Sequence, residues 1–195
     1  TINWTQCKDE TINVAVLAFP TQYPNYEATL PRFQKLTGIT VNLDYLPEVE
    51  LREKTTLDLL SRTGIYDVAM VDNMHLALLA KENTLEPLET YINDSKFDPD
   101  WWDWNDFYPA DRQSASPEPW AKGHVLMVPY CLHGVLLHYR KDLLEEYGVK
   151  VPETMDELME AAKVLHNPEK GYVGFASRGL RGEGLNVFTW TPFFR

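Results

Sequence analysis

The first ninety residues of the chain alternate between short apolar runs and segments with helical spacing. Strand-like runs lie at residues 12–19, 40–46 and 66–71, and helical patterns follow them at residues 23–37, 51–63 and 74–82. Gly38 and Gly64 stand where the first two helices end, which is a common position for a C-cap glycine. This alternation predicts an α/β fold in which helices cover both faces of a parallel sheet.

The middle of the chain interrupts the alternation, and the end of the chain resumes it. Residues 93–122 hold four tryptophans and several prolines, which predicts an ordered but irregular connection. Further strands are expected at residues 124–129, 135–139 and 172–176, with helices at residues 141–147 and 153–165. The second half of the chain therefore begins another α/β arrangement.

Four segments are candidates for a binding site, because ligands of open α/β sheets bind beyond the carboxyl ends of the strands. They are residues 18–23, 72–75, 130–133 and 178–190. The segments combine aromatic rings with amide, carboxylate or guanidinium groups. Since a carbohydrate presents both C–H faces and neighbouring hydroxyls, this mixture is typical of a carbohydrate site. We expect the four segments to converge on one cleft.

Structural roles stay open for the same side chains. Asp72 and Asn73 suit the N-cap of the helix that follows them. Arg178 and Arg181 are either solvated loop cations or partners of a ligand or of a nearby acid. Trp190 is either a core residue or a ring that stacks on the ligand.

The sequence contains none of the motifs that mark the common catalytic sites. It has no G-x-S-x-G elbow, no P-loop and no H-E-x-x-H motif, and its five histidines lack ligand spacing. We expect no metal and no cofactor. A carboxylate pair, as in glycoside hydrolysis, is not excluded, because acidic residues are abundant. The formal net charge of −11 disfavours nucleic acid as a partner, since phosphate backbones are negative.

The sequence predicts no membrane span, because no apolar run approaches about eighteen residues. The first ten residues are polar and lack the apolar stretch of a signal peptide, so we expect that any export signal has been removed. Cys7 and Cys131 are expected not to bond to each other. Cys7 precedes the first strand and Cys131 follows the fourth, so roughly 20 Å separates the two levels of the sheet.

Three stretches of the chain, at residues 66–92, 123–165 and 174–195, contain longer patterns of strand, helix and loop residues. They resemble the extracellular solute-binding proteins of the carbohydrate-uptake family of ABC transporters. The first is YDVAMVDNMHLALLAKENTLEPLETYI, residues 66–92, which is similar to a family stretch where a strand ends in an acid and is followed by a helix and xLxPLD. The second, residues 123–165, resembles the family's hinge passage, with Met155 in place of the usual tryptophan. The third is GFASRGLRGEGLNVFTWTPFFR, residues 174–195, which is similar to a loop that presents arginine and glycine to the ligand.

The resemblance, which runs from about residue 12 to residue 195, implies two α/β lobes joined by crossing strands, with the ligand in the cleft. Residues 1–129 would form the first lobe, residues 130–134 the hinge crossing and residues 135–195 the beginning of a second, incomplete lobe. The ligand-facing positions that it implies are Gln22, Tyr23, Asp72, Asn73, Tyr130, His133, Arg178, Arg181, Asn186 and Trp190.

By the same resemblance, the protein is expected to be a non-catalytic receptor that delivers a sugar or polyol to the permease subunits of an ABC importer. It would act in the periplasm or at the cell surface, and it would meet the membrane only through the transporter or a removed lipid anchor. Two alternatives stay open, an oxyanion or ferric-ion receptor of the same fold and a glycoside-acting enzyme. Family members are longer, so residues beyond Arg195 are expected to complete the core around Trp190 and Phe193.

Overall fold

A computed structural model of the chain describes residues 2–96, 103–131 and 135–177, apart from the side chains of Asn73 and Met74. The chain divides into two compact units, Thr1–Leu132 and His133–Arg195. Among the described residues, none of the helices has the length and apolar character needed to cross a membrane. Cys7 and Cys131 are both exposed, and within the described residues no disulfide joins them.

The first unit is built on a three-stranded parallel sheet. β1 (Thr11–Leu17) lies in the centre, with β2 (Thr40–Leu46) on one side and β3 (Val68–Ala69) on the other. β1 and β2 pair along all seven residues of each strand, whereas β3 pairs with β1 at two residues. Because the three strands run in the same direction, their carboxyl ends lie at one edge of the sheet.

A helix follows each strand of the sheet. They are α1 (Tyr23–Thr37) after a short 3-10 turn at Pro20–Gln22, α2 (Glu48–Ser61) and α3 (Asn73–Lys81). The rest of the described first unit contains α4 (Glu89–Ile92), a 3-10 turn at Trp104–Asp106 and α5 (Pro109–Ser114). The predicted α/β class, with helices flanking a parallel sheet, is confirmed.

One buried cluster of the first unit lies near the carboxyl ends of the strands. Ala15, Leu46 and Leu51 are buried together. Partly buried side chains that pack against them are Leu17, Tyr66, Ala69 and Met70. Burial of each large aliphatic side chain stabilises the fold by roughly 1.5–3 kcal/mol. Since Leu17, Leu46 and Ala69 are the last residues of the three strands, this packing fixes the place where each following loop starts.

The second unit is described over residues 135–177, and its regular elements there are helices and a 3-10 turn. It contains α6 (Lys141–Glu146), α7 (Met155–Leu165) and a 3-10 turn at Pro168–Lys170. α7 begins with a capping box, in which the Glu157 N–H donates to the Thr154 hydroxyl oxygen at 3.2 Å and the Glu157 carboxylate accepts from the Thr154 N–H. Such a box satisfies two N–H groups that the first helical turn leaves unpaired.

The strands predicted at residues 124–129, 135–139 and 172–176 are absent from the described parts of the chain, so these predictions are wrong. The backbone of the first segment bonds elsewhere, because the Val125 carbonyl accepts from Leu88 and the Leu126 N–H donates to Ala115. The third segment makes only an isolated bridge between Tyr172 and Asn167. An apolar, alternating pattern does not form a strand unless a second strand supplies the hydrogen-bond ladder.

A side chain at Gly38, which ends α1, is expected to destabilise the fold. The φ of Gly38 is +74°, and a Cβ there would lie 2.5 Å from the Lys8 Cγ. Gly64 has a similar φ of +68° but open space around it. We expect Gly38→Ala to lower the free energy of unfolding by about 2 kcal/mol and Gly64→Ala by about 1 kcal/mol, because only the first adds a clash to the backbone strain. Urea unfolding of both variants checks this, and equal losses would show that Lys8 moves away at no cost.

Candidate functional site

The carboxyl edge of the first unit's sheet carries the candidate site. The 3-10 turn Pro20–Gln22 follows β1, α2 begins two residues after β2, and Asp72 directly precedes α3. Loops at this edge of a parallel sheet are the usual position of a ligand site. Two groups of side chains gather here.

The first group, the charged cluster, consists of Glu48, Arg52, Asp72 and His75. Arg52 lies between two carboxylates: its Nε donates to Asp72 Oδ2 at 2.5 Å, and its Nη2 donates to Glu48 Oε1 at 2.6 Å. The His75 Nδ1 lies 2.9 Å from Asp72 Oδ1. The Arg52 side chain is only 16% exposed, whereas Asp72 is 34% exposed. The cluster therefore leaves the Asp72 carboxylate partly exposed, while the more buried Arg52 holds it in place.

The contacts of Asp72 keep its carboxyl group ionised. Burial raises the pKa of Asp72, but the hydrogen bonds from Arg52 and His75 outweigh burial, and the pKa lies below its ordinary value. For Arg52, burial lowers the pKa, and the bonds to Asp72 and Glu48 raise it above its already high value. At neutral pH, Asp72 and Arg52 are thus an ion pair, and Asp72 acts purely as an acceptor.

Asp72 also caps α3. Its Oδ1 accepts from the His75 backbone N–H at 3.1 Å, which is the third N–H of the helix. This is the normal contact of an N-cap aspartate. The structural role that the sequence left open for Asp72 is therefore present, and its role toward a ligand stays a prediction.

The second group, the tyrosine cluster, consists of Tyr23, Tyr26, Tyr45 and Tyr130. Tyr23 packs edge-on against Tyr45 with ring centroids 4.8 Å apart, and Tyr26 lies 6.1 Å from the same ring. Tyr130 donates its hydroxyl proton to Gln22 Oε1 at 2.6 Å. The Tyr130 side chain is more than half exposed. Rings at this edge thus offer apolar faces together with hydroxyl groups.

Tyr26 joins the tyrosine cluster to the segment between β3 and α3, which leads to the charged cluster. Its hydroxyl lies 3.7 Å from the Met70 sulfur, to which it donates. Burial, and then a hydrogen bond with Tyr130, raise the pKa of Tyr26 above its ordinary value. Met70 stands two residues before Asp72, so the two clusters occupy the same edge.

Four of the predicted ligand-facing residues are found at this edge. Gln22 and Tyr130 are in direct contact, Tyr23 packs within the tyrosine cluster, and Asp72 anchors the charged cluster. Asn73 is the first residue of α3. The remaining predicted positions lie outside the described residues and are His133, Arg178, Arg181, Asn186 and Trp190.

The sequence analysis missed Glu48, Arg52 and Tyr45. These side chains lie at and after the carboxyl end of β2, where Tyr45 is the penultimate strand residue and α2 starts with Glu48. The rule that ligands bind beyond the carboxyl ends of the strands, applied to residues 45–52, selects all three side chains.

The site is suited to hold polar, uncharged groups. Asp72 and Gln22 offer oxygen acceptors, and the tyrosine hydroxyls both donate and accept. Within the described parts of the chain, no three His, Cys, Asp or Glu side chains are arranged to hold a metal ion. Hydroxyl groups on a small carbon skeleton match this set of donors, acceptors and rings.

A family model places the chain among known proteins. The model described as "Bacterial extracellular solute-binding protein" matches residues 20–194. The match therefore covers nearly all of the chain, including the candidate site.

Two curated relatives are similar to the chain in sequence. The Erythritol/L-threitol-binding protein of Mycolicibacterium smegmatis is 25% identical over 185 residues, which is 92% of this chain and 39% of the relative. The Mannitol-binding protein of Pseudomonas aeruginosa is 30% identical over 144 residues, which is 73% of this chain and 30% of the relative. The chain thus spans about a third to two fifths of the length of these relatives.

Two solved structures are similar in fold. An ABC transporter solute-binding protein from Agrobacterium radiobacter K84, in complex with ribitol, matches with a TM-score of 0.72 and 26% identity over 84% of this chain and 39% of that chain. A solute-binding protein from Agrobacterium vitis S4, with bound D-mannitol, matches with a TM-score of 0.60 and 28% identity over 83% of this chain and 37% of that chain.

Proposed function

Since the chain belongs to the family of bacterial extracellular solute-binding proteins, we propose that it binds a neutral polyol or sugar outside the cytoplasm and delivers it to the permease of an ABC importer. Binding leaves the ligand chemically unchanged. The protein acts in the periplasm or at the cell surface, and its ligand site includes the carboxyl edge of the first unit's sheet.

The proposal rests on the charge, orientation and exposure of the Asp72 carboxylate. This carboxylate is ionised, oriented by Arg52 and His75, and about one third exposed at the edge where ligands of α/β sheets bind. A hydroxyl that donates to such a carboxylate forms a charge-assisted bond, worth roughly 1.5–3 kcal/mol. The tyrosine cluster beside it supplies apolar faces for the carbon chain.

The relatives favour a linear polyol as the ligand. One relative is named for erythritol and L-threitol and another for mannitol, and the two similar structures hold ribitol and D-mannitol. All four sets of ligands are uncharged chains with a hydroxyl on each carbon. A site built from one oriented carboxylate, an amide and several phenols matches that chemistry.

A thermal-shift panel tests the proposal. The protein, expressed from its complete gene, is melted with erythritol, ribitol, mannitol, monosaccharides, disaccharides and inorganic phosphate. A ligand present at a hundred times its Kd stabilises by about 2.7 kcal/mol, so we expect at least one polyol to raise the Tm by several degrees and phosphate to have no effect. A shift with phosphate alone would instead support the oxyanion receptor. Hydrolysis of a glycoside panel would support the enzyme.

A further inference from the structure

The charged cluster contains more negative than positive charge. Glu48 and Asp72 are carboxylates that share the single guanidinium of Arg52, at 2.6 Å and 2.5 Å. Glu48 lies one helical turn before Arg52 on α2, and Asp72 reaches the same guanidinium from the start of α3. His75, which contacts Asp72, adds a charge only when it is protonated. With His75 neutral, the cluster carries a net charge of −1.

Arg52 balances only one of the two carboxylates, so the cluster becomes neutral if Glu48 loses its charge. The Glu48 side chain is 35% exposed and accepts from the Arg52 Nη2, while the Nε of the same guanidinium donates to Asp72. On the basis of the proposed function, we infer that Glu48 is a specificity-determining residue, which selects neutral polyols over their acid counterparts by repelling a ligand carboxylate.

Repulsion of this kind has a modest and predictable size. At an assumed separation of roughly 6–8 Å in a partly solvated site, repulsion between two like unit charges changes affinity by roughly three- to tenfold, and dissolved salt weakens it. A neutral polyol of the same shape does not experience this repulsion. Specificity then comes from a penalty on the wrong ligand, which costs the right ligand nothing.

The chain offers a matched control for Glu48. Glu50 lies two residues further along the first turn of α2 and pairs with Lys54 at 2.8 Å, with both side chains about half exposed. Glu48→Gln and Glu50→Gln remove the same charge from the same helix turn. Only the first removes it from the cluster around Asp72.

The experiment compares ribitol with ribonate, and mannitol with mannonate, by calorimetric titration of the protein and the two variants. We expect Glu48→Gln to reduce the preference for the polyol over its acid by roughly three- to tenfold at low salt. The effect should be smaller at about 0.5 M salt, where the Debye length is only about 4 Å. We expect Glu50→Gln to change this preference by less than about twofold, as for a distant screened charge.

The comparison of the two variants decides whether Glu48 determines the specificity. Equal changes of preference in the two variants, or no change in Glu48→Gln, would overturn the inference. An equal loss of affinity for polyol and acid in Glu48→Gln would indicate only a structural role through Arg52 and would also overturn it. Failure of the unaltered protein to bind any polyol is a separate result, which would overturn the proposed function itself.

Discussion

Asp72→Ala is expected to weaken polyol binding by roughly 10- to 150-fold, the equivalent of about 1.5–3 kcal/mol. The substitution removes the ionised acceptor that Arg52 and His75 orient at the carboxyl edge of the sheet. It also removes the cap of α3, which costs about 0.5–2 kcal/mol of stability. Calorimetric titration and melting curves, taken on the same samples, measure the two effects.

Asp72→Asn separates binding from capping. Asparagine is as good an N-cap as aspartate, so this variant should keep most of its stability while losing the charge-assisted bond. We expect weak binding in both variants and a lowered Tm mainly in Asp72→Ala. Normal affinity in both variants would remove Asp72 from the ligand site and leave it as a helix cap.

The pH dependence of binding follows from the same contacts. Because the pKa of Asp72 lies below its ordinary value, the carboxylate stays ionised as the pH falls from 7 to about 5. Affinity that depends on this carboxylate should therefore be constant over that range and should fall only below about pH 4.

Asp58→Ala is expected to lower the free energy of unfolding by about 2–4 kcal/mol. Asp58 is only 2% exposed, and its carboxylate holds the turn between α2 and β3. It accepts from the Thr63 hydroxyl at 2.6 Å and from the N–H groups of Ile65 and Tyr66 at 2.9 and 3.0 Å. Alanine leaves these donors without their acceptor. Thr63→Val, which removes one of the three bonds, should cost only about 1 kcal/mol.

The contribution of Asp58 depends on pH in a defined direction. Burial raises the pKa of Asp58, but the hydrogen bonds from Thr63, Ile65 and Tyr66 lower it below the ordinary value. A carboxyl group whose pKa is lower in the folded state stabilises the fold above its unfolded pKa of about 3.9, and this stabilisation is lost as the pH falls below that value. Urea unfolding at pH 7 and at about pH 3 should thus show a smaller gap between Asp58→Ala and the unaltered protein at the lower pH. An unchanged gap would contradict the role of the charge.

The sequence predicted correctly the helices and strands whose bounds depend on residues close together in the chain. The bounds of α1 and β2 were predicted to the residue, because Gly38 ends the helix and the alternation of Val41, Leu43 and Tyr45 marks the strand. The strands predicted at residues 124–129, 135–139 and 172–176 were wrong, because a ladder partner is a property of the whole fold. The prediction of an α/β class needed only local patterns of this kind, and no knowledge of how the strands pair.

The sequence predicted the residues of the candidate site that local patterns select, and it missed contacts between distant residues. The position of Asp72 after a strand was enough to select it. The sequence also placed residues 18–23 and 130–133 at one cleft, but it did not predict the contact between Gln22 and Tyr130. The pairing of Arg52 with Asp72 joins residues twenty apart in sequence, and no local pattern indicates it. In the sequence, Arg52 with Glu48 is indistinguishable from the solvent-exposed pair of Lys54 with Glu50 four residues apart on the same helix.

The most direct test of the proposed function is a calorimetric titration of the protein, expressed from its complete gene, with ribitol and mannitol, followed by mass analysis of the recovered ligand. We expect saturable binding of at least one of these polyols, with one ligand per protein, and recovery of that polyol unchanged. No binding of either polyol, or recovery of a chemically altered product, would contradict the proposed function.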